Sequence, residues 1–339
     1  MALLKEVQAV SLDGRILAQA KSTLDAKRKQ NEDELQSRIE RIYAAAPNVR
    51  AIDRALTVTM SELVNSIVMQ DGEYAVESVR QKNMDLQEKR RIELIAAGFP
   101  ADYLDEEDMC PDCCDTGFIG AKICSCLMAL YKDAQRASLS SLLGLTDNNT
   151  FDNFDLSYYD DAPASGNEFP PRRSMEIIYE TCVEYARKFG SKSINLFFNG
   201  APGLGKTFLS ACIARVVSEN GYSVVYDTAI SIFMKFEEAK FMRTDDHEEA
   251  RNEVKRLTQC DLLIMDDLGT EMTTSFTVSA LYELVNTRLL ANRKTIISSN
   301  LAIYELRNKY TEQIMSRLEG EYQVLTFRGD DIRKKKNAL

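Results

Sequence analysis

The stretch Gly200-Ala201-Pro202-Gly203-Leu204-Gly205-Lys206-Thr207 constrains this chain more than any other. It meets the phosphate-binding pattern Gly-x4-Gly-Lys-Thr at every required position. Its surroundings suit that chemistry. Ser193 to Phe198 is an apolar run rich in strand formers, and Phe208 to Ser218 has helical periodicity. A strand, a glycine-rich turn and a helix in that order let backbone N–H groups turn inward around phosphate oxygens at a helix N-terminus. Lys206 is expected to reach the β- and γ-phosphates of ATP, and the Thr207 hydroxyl to ligate Mg²⁺. Gly200, Pro202, Gly203, Leu204, Gly205 and Phe208 complete the loop expected to contact nucleotide.

The bulk properties set the frame. At 339 residues the chain is long enough for two domains, and 45% hydrophobic with 28% charged residues is an ordinary globular balance. With 52 acids against 42 bases, a surface coated in positive charge for duplex DNA is excluded, although a local basic groove is not. The N-terminus lacks the apolar core and cleavage site of a secretory signal, and no apolar run approaches a membrane span, so a cytoplasmic protein is expected. In such a chain the eight cysteines read as metal ligands rather than disulfides.

Periodicity predicts three helices in the N-terminal third, over Ser11 to Ala45, Ile52 to Met69 and Tyr74 to Ala97. Ser11 and Asp13 can cap the first. Asp71-Gly72 reads as a turn, and Gly98 with Pro100 ends the third helix. Five cysteines then fall within 17 residues: Cys110, Cys113, Cys114, Cys124 and Cys126. Cys110 and Cys113 make a C-x2-C knuckle, and Cys124 and Cys126 return ten residues later. Four thiolates would close a tetrahedral Zn²⁺ site, leaving Cys114 over. A redox C-x-x-C and unliganded cysteines are the alternatives. Pro111-Asp112 beside the acids of 105–108 does not favour the low thiol pKa the redox version needs.

Leu127 to Leu143 is expected as a connecting helix, and Thr146 to Pro171 as an irregular linker with Phe151 and Phe154 as anchors on the following domain. A helix over Met175 to Phe189 precedes the first strand. Beyond it strands and helices alternate, with strands expected at Ser223–Tyr226, Asp261–Met265, Thr295–Ser299 and Gln323–Phe327. Such alternation predicts a parallel sheet covered on both faces.

Two further stretches carry chemistry. Leu262 to Met265 ends in Asp266-Asp267, where an acid at the strand end holds Mg²⁺ in phosphate-loop enzymes. That role is assigned to Asp266, and activation or positioning of the attacking water to Asp267. Asn300 ends the Thr295–Ser299 strand, where an amide could orient that water; as Asn is common at strand ends, a plain turn residue is the alternative. Arg317 lies on a short predicted helix. By spacing alone it reads equally as an arginine supplied to a neighbouring subunit's γ-phosphate or as a surface arginine.

Together, Phe198 to Thr207, Asp266-Asp267-Leu268-Gly269, Ile296 to Leu301 and Ser316-Arg317-Leu318 resemble the AAA+ ATPases. Within them the set is similar to the bacterial replicative helicase loaders of DnaC and DnaI type and to the related IstB-like ATP-binding proteins of transposition. The segment Cys110-Pro111-x-Cys113-x-Asp115-Thr116-Gly117-Phe118 resembles the cysteine signature of loader-like proteins. The resemblance implies that Asp266 and Asp267 are the Walker B acids, Asn300 sensor 1, Arg317 the arginine finger and Arg333 sensor 2. Asp267 departs from the Glu that many AAA+ proteins place there, which implies slow hydrolysis suited to a switch. With the sequence ending soon after Arg333, no separate C-terminal lid is expected. The segment Ile230 to Thr258, with Lys235, Phe236, Lys240, Phe241 and Arg243, falls where loaders carry an extra helical element. It could grip single-stranded DNA, or simply be an amphipathic helix with a solvated face.

The fold class expected is therefore α/β: an AAA+ phosphate-loop domain with a parallel sheet, preceded by a helical region with a zinc hairpin. The expected boundaries are a helical partner-binding region over 1–126, a connecting helix and linker over 127–171, and an ATPase domain over 172–339. The function implied is ATP-dependent loading of a hexameric replicative helicase onto single-stranded DNA, with self-association through the ATPase domain. The rival readings are a transposition helper assembling on duplex DNA and a non-hydrolysing adaptor that ATP stabilises.

Overall fold

The computed structural model describes residues 12–68, 73–105, 108–143, 149–162, 169–241 and 247–336. Ser11, the Asp71-Gly72 turn, Arg243 and parts of the 146–171 segment lie outside them. The chain forms two compact units: Lys21–Leu127, and a second that joins residues up to Ala20 to those from Met128 onward. No described helix is long and apolar enough to cross a membrane.

In the first unit, α1 (Gly14–Ala45), α2 (Pro47–Val68) and α3 (Glu73–Ala96) replace the three expected helices with boundaries shifted by a few residues. Pro47 sits at the first position of α2, where its missing N–H costs nothing, so the proline starts a helix. α2 and α3 run antiparallel: Arg90 pairs with Asp53 at 2.8 Å, Asn83 donates to Thr59 Oγ1 at 2.8 Å, and Asn48 reaches Glu93 at 3.3 Å. Ile42, Val49, Leu94 and Leu104 form a small core. A two-stranded hairpin, β1 (Phe118–Ile119) and β2 (Lys122–Ile123), separates the two cysteine pairs.

In the second unit the start of α1 is held by its cap: Asp13 Oδ1 accepts from the N–H groups of Arg15 and Ile16. α4 (Ser125–Leu143) supplies Tyr131, whose hydroxyl accepts from the Asp13 N–H at 3.0 Å. The rest is a parallel sheet of β3 (Asn195–Asn199), β4 (Val224–Thr228), β5 (Leu262–Asp266), β6 (Lys294–Ser299) and β7 (Tyr322–Thr326), in the order β4-β5-β6-β3-β7. The terminal apolar run is thus a fifth strand, paired with β3.

The expected burial on both faces holds residue by residue. β3, β5 and β6 are buried throughout, as strands covered on two sides must be. Alternate residues feed opposite cores. Leu196, Phe198, Leu262 and Ile264 pack with α5 (Pro171–Arg187) and α6 (Lys206–Glu219). Phe197, Leu263 and Met265 pack with α7 (Ala229–Phe241), α8 (His247–Gln259), α9 (Ser275–Leu290), α10 (Ile303–Lys309) and α11 (Glu312–Glu321). The central strand is β6, which separates the phosphate-loop strand β3 from β5. This order brings the C-terminal ends of β3, β6 and β5 side by side, where ligands of open α/β sheets bind. α5 starts at Pro171, earlier than expected. The preceding residues 149–162 are more ordered than a linker: two short 3-10 turns, Phe151–Asn153 and Leu156–Tyr158, pack against the first of these cores.

Candidate nucleotide site and cysteine cluster

The loop after β3 wraps the N-terminus of α6, which begins at Lys206. Gly203 has φ +79 and Gly205 φ +89, left-handed conformations that side chains rarely adopt. A Cβ at Gly203 would lie 1.9 Å from Asp331 Oδ1, so only glycine admits the chain that returns after β7. That return is fastened to the loop, since the Ile332 N–H donates to the Gly203 carbonyl at 3.0 Å. From the other side the Tyr159 hydroxyl donates to the Leu204 carbonyl at 2.9 Å.

A cavity of about 530 Å³ opens on this loop, lined by Pro202 through Phe208 together with Asp267, Asn300 and Arg333. Lys206 is buried, and its ammonium donates to the carbonyls of Gly200 and Ala201 at 2.6 and 2.8 Å and to Asn300 Oδ1 at 2.7 Å. Burial lowers its pKa to about 8, against the raising effect of Asp267 and Asp266. The Asn300 amide also donates to Asp267 Oδ1 at 2.9 Å, so it bridges the lysine and the second acid. Asp266 is the more enclosed acid. It accepts from Thr207 Oγ1 at 3.0 Å, from the Tyr226 hydroxyl at 2.7 Å and from Ser298 Oγ. Asp267 is pushed above the usual carboxylate range by burial and then by the charge of Asp266, while the Asn300 hydrogen bond pulls the other way.

Asp267 has φ 56. Short polar Asp and Asn tolerate that left-handed backbone better than longer side chains do, which gives a local reason for Asp at this position.

Of the residues singled out in the sequence, Lys206, Thr207, Asp266, Asp267, Asn300 and Arg333 are thus gathered at one end of the sheet. Arg317 is not among the cavity residues and contacts α9 instead. Sequence reading missed Tyr226 and Ser298, which hold Asp266, and Asn149, Asn153, Asp155 and Tyr158, which line the cavity opposite the loop. No motif marks them. Phe151 and Phe154 do anchor this segment: the Phe154 ring stacks on Tyr179 at 5.5 Å and touches Phe208 at 5.8 Å.

The donor set fits Mg²⁺ and a polyphosphate. A hydroxyl and a carboxylate converge in Thr207 and Asp266, and a buried lysine is satisfied only by neutral oxygens that phosphate oxygens can replace.

The cysteine cluster also fits its group. Cys110 Sγ lies 3.7 Å from Cys124 Sγ, Cys113 Sγ lies 3.5 Å from Cys126 Sγ, and all four fall within 4.8 Å of one another. Tetrahedral Zn²⁺ with Zn–S bonds of about 2.3 Å would set its sulfurs about 3.8 Å apart. The Cys126 N–H lowers the Cys124 thiol to about 7, and the Gly117 N–H donates to Cys113 Sγ at 3.3 Å. Cys114 takes a left-handed φ of 47, is exposed and hydrogen-bonds Asp108, which raises its pKa. It is the cysteine left out of the cluster. Asp115 folds the knuckle by accepting from the N–H groups of Met109 and Cys110.

The mixed aromatic and basic segment after β4 needs correction at two positions. Lys235 pairs with Asp227, and Phe236 is buried in the core, because both lie on the inner side of α7. Lys240 and Phe241 remain on the outer side, with the ammonium 5.2 Å from the Phe276 ring.

Residues 184–339 match the family model described as IstB-like ATP binding protein. The chain is similar to the replicative helicase loader DnaC of Buchnera aphidicola subsp. Baizongia pistaciae, 29% identical over 153 residues, which is 45% of this chain and 61% of that protein. DnaC of Escherichia coli K12 is 24% identical over 153 residues, again 45% of this chain and 61% of the relative. The chain therefore spans about three fifths of the curated relatives it matches. Among solved structures, the DnaC helicase loader aligns with 54% of this chain and 98% of its own at 18% identity and a TM-score of 0.44.

Proposed function

We propose that the chain, whose residues 184–339 match the IstB-like ATP binding protein model, is a nucleotide-switched loader of a hexameric replicative helicase onto single-stranded DNA. The observation that carries this is the convergence of Lys206, Thr207 with Asp266, Asp267 with Asn300, and Arg333 on one cavity. The likeness to DnaC loaders supplies the direction in which that chemistry is used.

The reaction proposed is Mg²⁺-dependent transfer of the γ-phosphoryl group of ATP to water. Mg²⁺, when bound, supplies neutralisation of phosphate charge, and Thr207 with Asp266 would hold it. Lys206 exchanges its loop carbonyls for phosphate oxygens. Asp267, kept in place by the Asn300 amide, orients the attacking water and accepts its proton. Tyr226 and Ser298 fix the Asp266 carboxylate, so its orientation is set before nucleotide arrives. Arg333 faces the same cavity and adds positive charge beside the phosphates. Arg317 is assigned to the γ-phosphate of a neighbouring copy of the chain.

The helical region up to about residue 126 is assigned to partner docking, with Zn²⁺ held by Cys110, Cys113, Cys124 and Cys126 as a structural ion. All four positions around such an ion would be protein ligands, which leaves no open position for catalysis. Lys240 and Phe241 are offered as contacts to single-stranded DNA, an aromatic face beside a cation.

Light scattering on the chain mixed with the replicative helicase of its host, with and without ATP, tests the assignment. The helicase hexamer is expected to gain mass. No gain under any nucleotide condition, together with filaments on duplex DNA, would favour the transposition helper instead.

A further inference from the structure

Tyr282 and Asn286 stand one turn apart on α9, so both side chains leave the same face of the helix. Arg317 of α11 lies across that face. Its Nε and Nη2 donate to Asn286 Oδ1 at 3.2 and 3.0 Å, and Nη2 also donates to the Tyr282 hydroxyl at 3.1 Å. The guanidinium carbon sits 4.7 Å from the centre of the Tyr282 ring. Among the described residues, the one hydrogen bond of Nη1 is a long 3.4 Å contact with the Gln313 carbonyl.

Each of these partners is neutral. Several arginines of this unit meet carboxylates: Arg307 forks onto Glu319, Arg256 reaches Asp13 and Glu253, and Arg293 reaches Asp261. Arg288 is also held by neutral groups, but it is fully buried and saturated by Thr295 Oγ1 and the carbonyls of Leu257, Cys260 and Lys294, whereas Arg317 is half-buried. A carboxylate would offset the guanidinium charge and compete with a phosphate for its planar fork. An amide oxygen, a phenol and a ring face fix the orientation and leave the net charge in place.

We propose that Tyr282 and Asn286 are positioning residues for Arg317. They clamp the Nε–Nη2 edge and leave the Nη1 corner for a phosphate presented by a second copy of the chain. This rests on the assignment of Arg317 to a neighbour's nucleotide. The clamp explains how a long, flexible side chain on a short helix can be held ready without a counter-charge. It also assigns a role to two α9 residues that line no part of the chain's own nucleotide cavity.

The test mixes full-length chains. An Arg317→Ala chain keeps an intact nucleotide site but offers no finger. A Lys206→Ala chain offers its finger but holds no nucleotide. Hydrolysis by the mixture, where neither chain alone is active, reports Arg317 acting in trans. Adding Asn286→Ala to the Lys206→Ala chain should lower the restored rate roughly tenfold, about the effect of one hydrogen bond to a charged group. Adding it to the Arg317→Ala chain should cause no further loss. Tyr282→Leu on the finger-supplying chain should act like Asn286→Ala, and Tyr282→Phe, which keeps the ring, should recover most of the rate. Restored rates that ignore both substitutions, or that fall equally whichever chain carries them, overturn the clamp. Full hydrolysis by the Arg317→Ala chain alone overturns the finger assignment and the clamp with it.

Discussion

The nucleotide loop and the cysteine hairpin both gather ligands for a charged guest, but they are supported in opposite ways. The loop's partners come from four distant stretches, at 200–207, 266–267, 300 and 331–333, and each is delivered by a buried strand end or by the chain after β7. The hairpin's ligands fall within 17 residues, joined by two strands of two residues each. The first site is held by a sheet with apolar cores on both faces, so it stands without its guest. The second buries Cys113 and Cys124 but rests on two short strands that are largely exposed, so a bound metal is expected to supply much of its stability. What a site owes to its ligand can thus be read from what its backbone is attached to.

The largest effect expected from this contrast is at the cysteines. Structural Zn²⁺ in small motifs contributes roughly 10–16 kcal/mol of apparent binding energy, comparable with the whole stability of a domain. Cys113→Ser, or a strong chelator, should release the metal and abolish amide-exchange protection over residues 108–127. ATP affinity should stay unchanged in the same chain. Protection that survives in the metal-free protein would break the contrast.

Next in size is the loop itself. Lys206→Ala removes the one buried ammonium from the loop and should weaken ATP binding by about a hundredfold or more, at roughly 1.5–3 kcal/mol for each hydrogen bond to a charged group. The melting temperature of the sheet should hardly move, because the loop rests on β3 and α6. Normal ATP affinity would remove the site assignment, and a collapsed sheet would show that the loop is less independent than it looks.

A smaller effect follows from the lysine's burial. In the free protein its pKa is lowered to about 8, and a bound polyphosphate would raise it. Binding above that pH therefore takes up a proton. Affinity should be full below about pH 8 and fall as pH rises, by up to tenfold per unit for one proton. Calorimetry in two buffers of different ionisation heat would count that proton. A flat affinity through pH 9 would mean that Lys206 stays charged in the free protein.

The sequence disclosed what local spacing can carry. The loop, the two acids at the end of β5 and Asn300 at the end of β6 were legible because each sits beside an apolar strand or a helix start. The β-α alternation likewise exposed the parallel sheet. The strand order was not legible, since nothing local says that β6 lies between β3 and β5. Tyr226 and Ser298 escaped for the same reason: they lie 40 and 32 residues from Asp266, and only pairing brings β4 and β6 to its two sides. Pro171 reads as linker in the sequence because a proline marks a break, yet it occupies a helix's first turn. Cys114 was the extra cysteine of its run, and its left-handed backbone and hydrogen bond to Asp108 set it apart from the other four.

In the proposed reaction this cavity hydrolyses ATP with Asp267 as the base. Single-turnover hydrolysis of γ-labelled ATP by Asp267→Asn tests it directly. Asn tolerates the left-handed backbone at this position and keeps the side chain's shape, so the fold and nucleotide binding should persist. ATP affinity should be unchanged and the hydrolysis rate lower by about 10²–10⁴-fold, the usual worth of a general base. Hydrolysis at the parent rate with ATP fully bound would contradict it.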